Sequence, residues 1–109
     1  MSLYAQYIAE KTNKFILETD YGFATYSFPD ATTVYLEDIF VVKDCRQQGV
    51  ATELVDEITE IARYQGCTRL LGSVIPSTKG STESLKVFLR MGAKIESATT
   101  DFIVISKGI

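Results

Sequence analysis

The spacing of apolar positions changes from helical to alternating within the first part of the chain. Apolar residues recur at helical intervals over residues 3–8, behind Ser2, a residue type that caps helices. Short runs rich in β-forming residues then cover residues 14–20, 21–28 and 33–42. The first two runs predict an antiparallel hairpin. The third is a strand too apolar for the edge of a sheet.

The second part of the chain alternates helical patterns with short apolar runs. An amphipathic helix follows Gly49 and ends at Gly66, with a row of acidic side chains on its outer face. A second helix closes at Gly92. Residues 68–75 are predicted as a buried strand and residues 76–82 as a loop. The closing pair of strands covers residues 93–99 and 101–107.

The predicted order is helix, three strands, helix, strand, helix and two strands. This order is typical of an α/β (α+β) fold with one mixed sheet and helices on its faces. No linker, repeat or low-complexity tract interrupts it, and 109 residues of which 46% are hydrophobic suit one core. We therefore predict a single domain over residues 1–109.

Composition narrows the function classes. The 14 acidic and 11 basic residues give a net charge of -3 without a long basic cluster, which argues against nucleic-acid binding. No apolar run is long enough for a bilayer and no signal peptide is evident, so we expect a cytoplasmic protein with no membrane partner. The chain has no histidine, and we expect no metal site and no histidine-based triad. Cys45 and Cys67 are expected to be reduced thiols.

The stretch CRQQGVATELV, residues 45–55, puts a glycine and few large side chains where a helix begins. The first turn of a helix offers unpaired N–H groups and the positive end of its dipole to an anion, and glycine allows close approach. Arg46 is a charged partner for a phosphate, and the Thr52 hydroxyl is a further donor. An ordinary strand-to-helix turn is the alternative for this stretch taken alone.

With the strand before it, this stretch resembles the GNAT superfamily of acyl-CoA-dependent acyltransferases. The family signature R/Q-x-x-G-x-G/A is filled by Arg46, Gly49 and Ala51. The order of elements from residue 2 onward is also that of the family. The resemblance implies a mixed, mostly antiparallel sheet of about six strands with helices on both faces, and it implies acetyl-CoA as the acyl donor.

The resemblance also assigns binding residues. In the family, the loop amides hold the coenzyme A pyrophosphate. The preceding strand carries a bulge that splays it from its parallel neighbour, the pantetheine arm pairs with main chain in that gap, and a backbone amide there polarises the thioester carbonyl. The corresponding residues of this chain are Ile39, Phe40, Val41, Arg46, Gln47, Gln48, Gly49, Val50, Ala51 and Thr52.

The chain departs from the family pattern in two places. The family's usual first strand and first helix are missing from the predicted order. Many members carry an asparagine near the start of the last helix and a tyrosine that protonates the leaving thiolate, and the corresponding positions here are Ser81 and Phe88. Phe88 cannot donate a proton, and core packing is its alternative role. Both residues are expected to contact the coenzyme.

A base must also take a proton from the attacking amine. Glu37 lies on the strand just before the implied bulge, where some family members place a catalytic glutamate, and Tyr35 shares its face by the two-residue period. Asp38 is the neighbouring candidate if the bulge changes the facing. Charged residues in so apolar a run need a partner, and a structural ion pair is the alternative to a catalytic role.

These observations predict an N-acetyltransferase that moves an acetyl group from acetyl-CoA to a primary amine by direct transfer in a ternary complex. The alternative is a catalytically inactive GNAT-fold module that binds acyl-CoA or a protein partner, which the phenylalanine at position 88 favours. A homodimer formed through the C-terminal strands would be typical of the family.

Overall fold

The computed structural model of the chain describes residues 2–77 and 81–109, with side chains from residue 84 onward in the second range. The predicted loop over residues 76–82 therefore falls partly outside the described residues, and a helix already begins at its residue 81. The elements in chain order are α1 (Leu3–Thr12), β1 (Phe15–Glu18), β2 (Gly22–Asp30), β3 (Thr33–Val41), α2 (Val50–Tyr64), β4 (Arg69–Val74), α3 (Ser81–Arg90), β5 (Lys94–Ala98) and β6 (Ile103–Gly108).

The six strands form one sheet in the order β1-β2-β3-β4-β6-β5. Only β3 and β4 run parallel, and the other four neighbouring pairs are antiparallel. This confirms the mixed, mostly antiparallel sheet, the N-terminal hairpin and the closing strand pair. It also confirms that β3 is an interior strand.

The core lies between one face of the sheet and the helices α2 and α3. The amphipathic helix α2 buries Leu54, Val55, Ile58 and Ala62, while its acidic residues remain exposed as predicted. The facing strand residues are among the most deeply buried in the described chain, at 2% exposure or less. They are Val34, Leu36, Leu70 and Ile105.

Helix α1 begins near the opposite face of the sheet. The Ser2 hydroxyl accepts a hydrogen bond from the Ala5 N–H at 3.0 Å, which confirms the predicted cap. The same hydroxyl donates to Glu18 Oε1 at 2.6 Å. Leu17 packs against the core, so strand alternation places the side chain of Glu18 on the opposite face of the sheet. Helix α1 begins next to Glu18, whereas α2 and α3 cover the core face, so helices lie on both faces.

Other expectations from composition concern cysteines, metals and membranes. Cys45 and Cys67 are both free thiols, and burial raises the pKa of the Cys67 thiol, with a smaller contribution from the charge of Asp30. The described residues contain no cluster of three or more side chains suited to a metal ion. Within the same ranges, every helix is too short or too polar to span a bilayer.

Candidate functional site

Strands β3 and β4 separate partway along β3. Their parallel pairing runs from Thr33 opposite Arg69 to Leu36 opposite Gly72, and among the described residues no pair is formed beyond that point. Strand β4 continues to Val74 alongside β6. The second half of β3 therefore has a strand neighbour on one side only, and a gap opens on its other side.

A β-bulge marks the place where the two strands separate. Adjacent residues of β2 pair with residues of β3 that are two positions apart: Tyr26 pairs with Leu36 and Thr25 pairs with Asp38. Glu37 is therefore an extra residue in β3. The Asp38 N–H is bonded to the Thr25 hydroxyl oxygen at 3.0 Å. The bulge implied by the family resemblance is present, and Glu37 lies within it rather than just before it.

The peptide groups beyond the bulge alternate between β2 and the gap. The Val42 N–H donates to the Tyr21 carbonyl at 2.8 Å, so Val42 faces the β2 side. In an antiparallel pair the peptide groups of alternate residues point to opposite edges. The peptide groups of Phe40 are thus directed at β2, and those of Ile39 and Val41 at the gap.

Helix α2 begins beside this gap with unpaired amides. Gly49 caps the helix with φ 84°, a left-handed conformation that residues with a Cβ atom adopt at a cost. The first hydrogen bond of the helix runs from the Glu53 N–H to the Gly49 carbonyl at 3.0 Å. Among the described residues nothing bonds the N–H groups of Val50, Ala51 and Thr52.

The space in front of the helix start is open. A Cβ atom at Gly49 would have no atom of the described residues within 4 Å, apart from its chain neighbours and the helix's own backbone. Before it, Gln47 adopts a left-handed φ of 64°, and the Gln48 side chain donates to the Asp44 carbonyl at 3.1 Å. The Gln48 side chain thus holds the preceding single turn of 3-10 helix, Lys43–Cys45, against the start of α2.

Arg46 connects the loop to the free edge of β3. Its Nε donates to the Val41 carbonyl at 3.0 Å, and its guanidinium carbon lies 5.9 Å from the centre of the Phe40 ring. Its two terminal nitrogens have no hydrogen-bond partner in the part of the chain that is described. The guanidinium is therefore oriented by protein contacts and still has donors for an anion.

Glu37 forms an ion pair with Lys14. The Lys14 Nζ lies 2.7 Å from one carboxylate oxygen and 2.8 Å from the other, and both side chains are partly exposed. The hydrogen bond that the Lys14 ammonium donates to the Glu37 carboxylate raises the pKa of Lys14 above its ordinary value of 10.5, although desolvation opposes it. The Asp38 carboxylate accepts a longer hydrogen bond, of 3.4 Å, from the Thr25 hydroxyl. The structural ion pair expected as the alternative role of Glu37 is present.

Phe88 is part of the core. Its side chain is 4% exposed, and a Cβ atom at Gly72 would lie 3.2 Å from its Cζ atom and 3.1 Å from Cδ1 of Ile105. The ring therefore lies over Gly72, the last residue of β4 that pairs with β3. The alternative role of core packing is confirmed for Phe88. Ser81 begins α3, and its side chain lies outside the described residues.

The family model of the Acetyltransferase (GNAT) family matches residues 4–93. The chain belongs to the GNAT acetyltransferase family. The matched range includes the bulge, the gap and the start of α2, and it ends just after the helix that carries Phe88.

Curated relatives of this GNAT chain include thialysine N-epsilon-acetyltransferases from mammals. The protein from Mus musculus is 32% identical over 69 residues, which is 60% of this chain and 41% of the relative. The protein from Bos taurus is 30% identical over the same length. The chain thus spans less than half the length of these relatives.

Solved GNAT structures share the fold of this chain. A GNAT family acetyltransferase from Elizabethkingia anophelis, with acetyl-CoA bound, has a TM-score of 0.73 at 14% identity and covers 95% of this chain and 82% of its own. The PaiA N-acetyltransferase from Thermoplasma acidophilum, in complex with coenzyme A, has a TM-score of 0.76 at 13% identity, covering 94% and 66%. At these identities the likeness shows the fold alone.

Two contacts at the site were not predicted. The partner of Glu37 is Lys14, which precedes β1 by one residue and gives no signal beyond its charge. The contacts of Arg46 with Phe40 and Val41 were also not predicted, because they depend on how the loop folds back on the end of β3. An ion pair was expected as the alternative role of Glu37, but its partner was not, because the position of Lys14 relative to Glu37 depends on the register of β1, β2 and β3.

Proposed function

We propose that this GNAT chain is an N-acetyltransferase that moves the acetyl group of acetyl-CoA directly to a primary amine. The observation that carries the proposal is the position of two unpaired backbone surfaces side by side. One is the set of free amides at the start of α2, and the other is the free edge of β3 beyond its bulge. A long ligand with a phosphate end and an amide-bearing arm matches both.

The start of α2 would hold the pyrophosphate. The N–H groups of Val50, Ala51 and Thr52 converge at the positive end of the helix dipole, and Gly49 leaves their approach open. The terminal nitrogens of Arg46 add charged donors. The predicted contacts of Gln47 and Gln48 would come from their backbone amides. Their side chains are exposed, and that of Gln48 is bonded to the loop itself.

The free edge of β3 would hold the arm that carries the acetyl group. The peptide groups of Ile39 and Val41 are directed at the gap and suit the amides of an extended chain. An N–H group there would donate to the thioester oxygen as negative charge develops on it. Acetyl-CoA supplies the activated acetyl group and a thiolate leaving group. Phe40 would contribute its ring rather than its backbone.

The amine would approach from the side of the sheet that carries Glu37. In the proposed reaction the Glu37 carboxylate accepts the proton that the attacking nitrogen loses, after exchanging its contact with Lys14 for one with the amine. The curated relatives are named for acetylation of the ε-nitrogen of thialysine. We therefore propose a primary amine at the end of a flexible aliphatic chain as the acceptor class.

A second function is favoured by the burial of Phe88. A GNAT-fold module that binds acetyl-CoA without turnover would need no proton donor at this position, and the ring packs as an ordinary core residue. A hydroxyl group added at Cζ would need space beside Gly72, where a Cβ atom would lie only 3.2 Å from Cζ. Phe88→Tyr is therefore expected to lower stability, and a gain in rate despite that loss would favour the enzyme.

The first experiment measures thermal unfolding with acetyl-CoA, with AMP as a control for non-specific nucleotide binding. Acetyl-CoA at one hundred times its dissociation constant should add about 2.7 kcal/mol to the free energy of unfolding. Gly49→Glu should remove this shift. Gly66→Glu is the matched control, because Gly66 also has a positive φ, of 92°, and open space, but lies at the other end of α2.

Release of free coenzyme A then separates the two functions. Thialysine, lysine, polyamines and short peptides form the acceptor panel. Turnover with any of them supports the enzyme, and binding without turnover supports the module. A folded wild-type protein free of bound coenzyme A that shows neither a shift nor turnover would contradict both.

A further inference from the structure

Two hydroxyl groups meet at the point where β3 and β4 separate. The Tyr35 hydroxyl and the Ser73 hydroxyl are hydrogen-bonded to each other across the two strands, and both residues are partly buried. Tyr35 is one residue before the last β3 residue paired with β4, and Ser73 is one residue after Gly72. The pair therefore bridges the closed end of the gap.

The pair lies on the face of the sheet opposite α2 and α3. Leu36 is buried in the core and Gly72 lies beneath Phe88, so strand alternation turns Tyr35 and Ser73 to the other side. Leu36, Gly72 and Phe88, which surround the same point, have no exchangeable side-chain proton. Of the five residues at the closed end of the gap, only Tyr35 and Ser73 can donate a side-chain proton.

We propose that Tyr35 and Ser73 together donate the proton to the thiolate that leaves during acetyl transfer. This inference rests on the proposed transferase function. As the nitrogen–carbon bond forms and the carbon–sulfur bond breaks, the Ser73 proton moves to the sulfur and the Tyr35 proton moves to the Ser73 oxygen. The phenolate left on Tyr35 regains a proton from water, and the proton lost by the nitrogen goes to Glu37. The hydroxyl pair thus supplies the acid that position 88 lacks.

The chemistry of the pair suits this task. A hydroxyl group has one proton and two acceptor positions, so two bonded hydroxyls use one proton between them and keep the other for a third group. When Tyr35 donates to Ser73, the free proton is on Ser73, whose strand lines the gap. A phenol is more acidic than an aliphatic alcohol, which makes Tyr35 the source of the proton and Ser73 its carrier.

The test compares turnover in three variants of the pair and two control variants, with acetyl-CoA and the best acceptor of the panel. Tyr35→Phe and Ser73→Ala should each lower kcat about a hundredfold, the usual effect of losing a general acid, with the thermal shift by acetyl-CoA unchanged. Ser73→Thr, which keeps a hydroxyl, should recover most of the rate. Tyr21→Phe and Ser27→Ala are the controls, since Tyr21 is exposed and Ser27 lies opposite Tyr35 on β2.

A change of leaving group separates proton donation from structural support. With the acetyl thioester of 4-nitrothiophenol, whose thiolate leaves without a proton, Tyr35→Phe should come within about twofold of wild type after subtraction of the uncatalysed reaction. The inference would be overturned if Tyr35→Phe lowered kcat equally with acetyl-CoA and with the 4-nitrothiophenol thioester. It would also be overturned if Tyr35→Phe and Ser73→Ala both had wild-type kcat with acetyl-CoA. Either result would leave the proposed function intact. Absence of turnover in the wild type would remove the proposed function and this inference with it.

Discussion

The two halves of β3 differ in their pairing although they form one continuous strand. From Thr33 to Leu36 the strand is paired on both sides, and its inward residues Val34 and Leu36 are almost completely buried. From Glu37 to Val41 it is paired with β2 alone, and Phe40 is 45% exposed. A single extra residue at the bulge separates a half that stabilises the sheet from a half with free peptide groups.

The contrast shows how a fold can offer hydrogen bonds to a ligand without polar side chains. Unpaired peptide groups at a sheet edge are costly when buried and prone to pairing with other chains when exposed. Here the edge is created inside the sheet, where β4 diverges, and Arg46 bonds to one of its carbonyls. Substitutions in the two halves should therefore separate stability from ligand binding.

The largest expected effect is loss of stability from the paired half. Leu36→Ala removes a side chain that is 1% exposed and leaves a cavity, which should lower the free energy of unfolding by about 2–5 kcal/mol. Phe40→Ala in the free half should cost about 1 kcal/mol, because it loses mainly ring contacts with Phe23. Urea unfolding of both variants measures the difference. Equal losses would mean that the two halves contribute alike to the core.

The next effect concerns ligand affinity at the free half. Arg46→Ala should weaken acetyl-CoA binding by about 1.5–3 kcal/mol, the range of hydrogen bonds to charged groups. Arg46→Lys keeps the charge but loses the bond from Nε to the Val41 carbonyl, and should recover only part of the affinity. Isothermal titration at two salt concentrations measures both. Affinity equal to wild type in Arg46→Ala would exclude a role for this guanidinium in phosphate binding.

A smaller effect is expected from one gap-facing N–H group. Val41→Pro deletes an N–H that is directed at the gap and should weaken acetyl-CoA binding by about 0.5–1.5 kcal/mol. Phe40→Pro is the matched control, because it deletes an N–H directed at β2 and should lower stability instead. Titration calorimetry should show the larger loss of affinity in Val41→Pro, and thermal unfolding the larger loss of stability in Phe40→Pro, if the peptide groups of the two residues point to opposite edges of β3. The same pattern in both would contradict this arrangement.

Much of the fold followed from the sequence because the relevant signals are local. The alternating runs of β1 to β3 and the helical spacing of α2 each depend on residues close in the chain, and a glycine follows α2 and α3 within two residues as expected. The family resemblance implied only that the bulged strand has a parallel neighbour, and the full strand order came from the structure, because pairing between β3 and β4 depends on contacts distant in sequence. Single-domain organisation, cytoplasmic location and dimerisation stay predictions.

The site was predictable in its backbone and less so in its side chains. The start of a helix has free amides whatever its sequence, so the helical pattern after Gly49 was enough to predict them, while their assignment to a phosphate came from the family resemblance. The partners of Glu37 and Tyr35 depend on strand register and on one inserted residue, which no local pattern specifies. Lys14 and Ser73 consequently became visible only in the folded chain.

The smallest expected effect tests the residue at the boundary between the two halves. Glu37→Gln removes the main cause of the raised pKa of Lys14, so that pKa should fall toward 10.5, as measured by NMR titration of the lysine side chain. Because the folded pKa is raised, the pair stabilises the protein fully below pH 10.5, and this contribution is lost as the pH rises through the folded pKa.

The free energy of unfolding of Glu37→Gln should consequently depend less on pH than that of wild type on the alkaline side. Stability at neutral pH should change little, because both side chains are partly exposed. Asp38→Asn is the control, since the charge of Asp38 is a smaller cause of the same pKa shift. A larger fall in the Lys14 pKa with Asp38→Asn than with Glu37→Gln would mean that the bulge directs Asp38, rather than Glu37, at the lysine. Asp38 would then replace Glu37 as the carboxylate to test for the base, because the bulge decides which of the two shares the face of Tyr35.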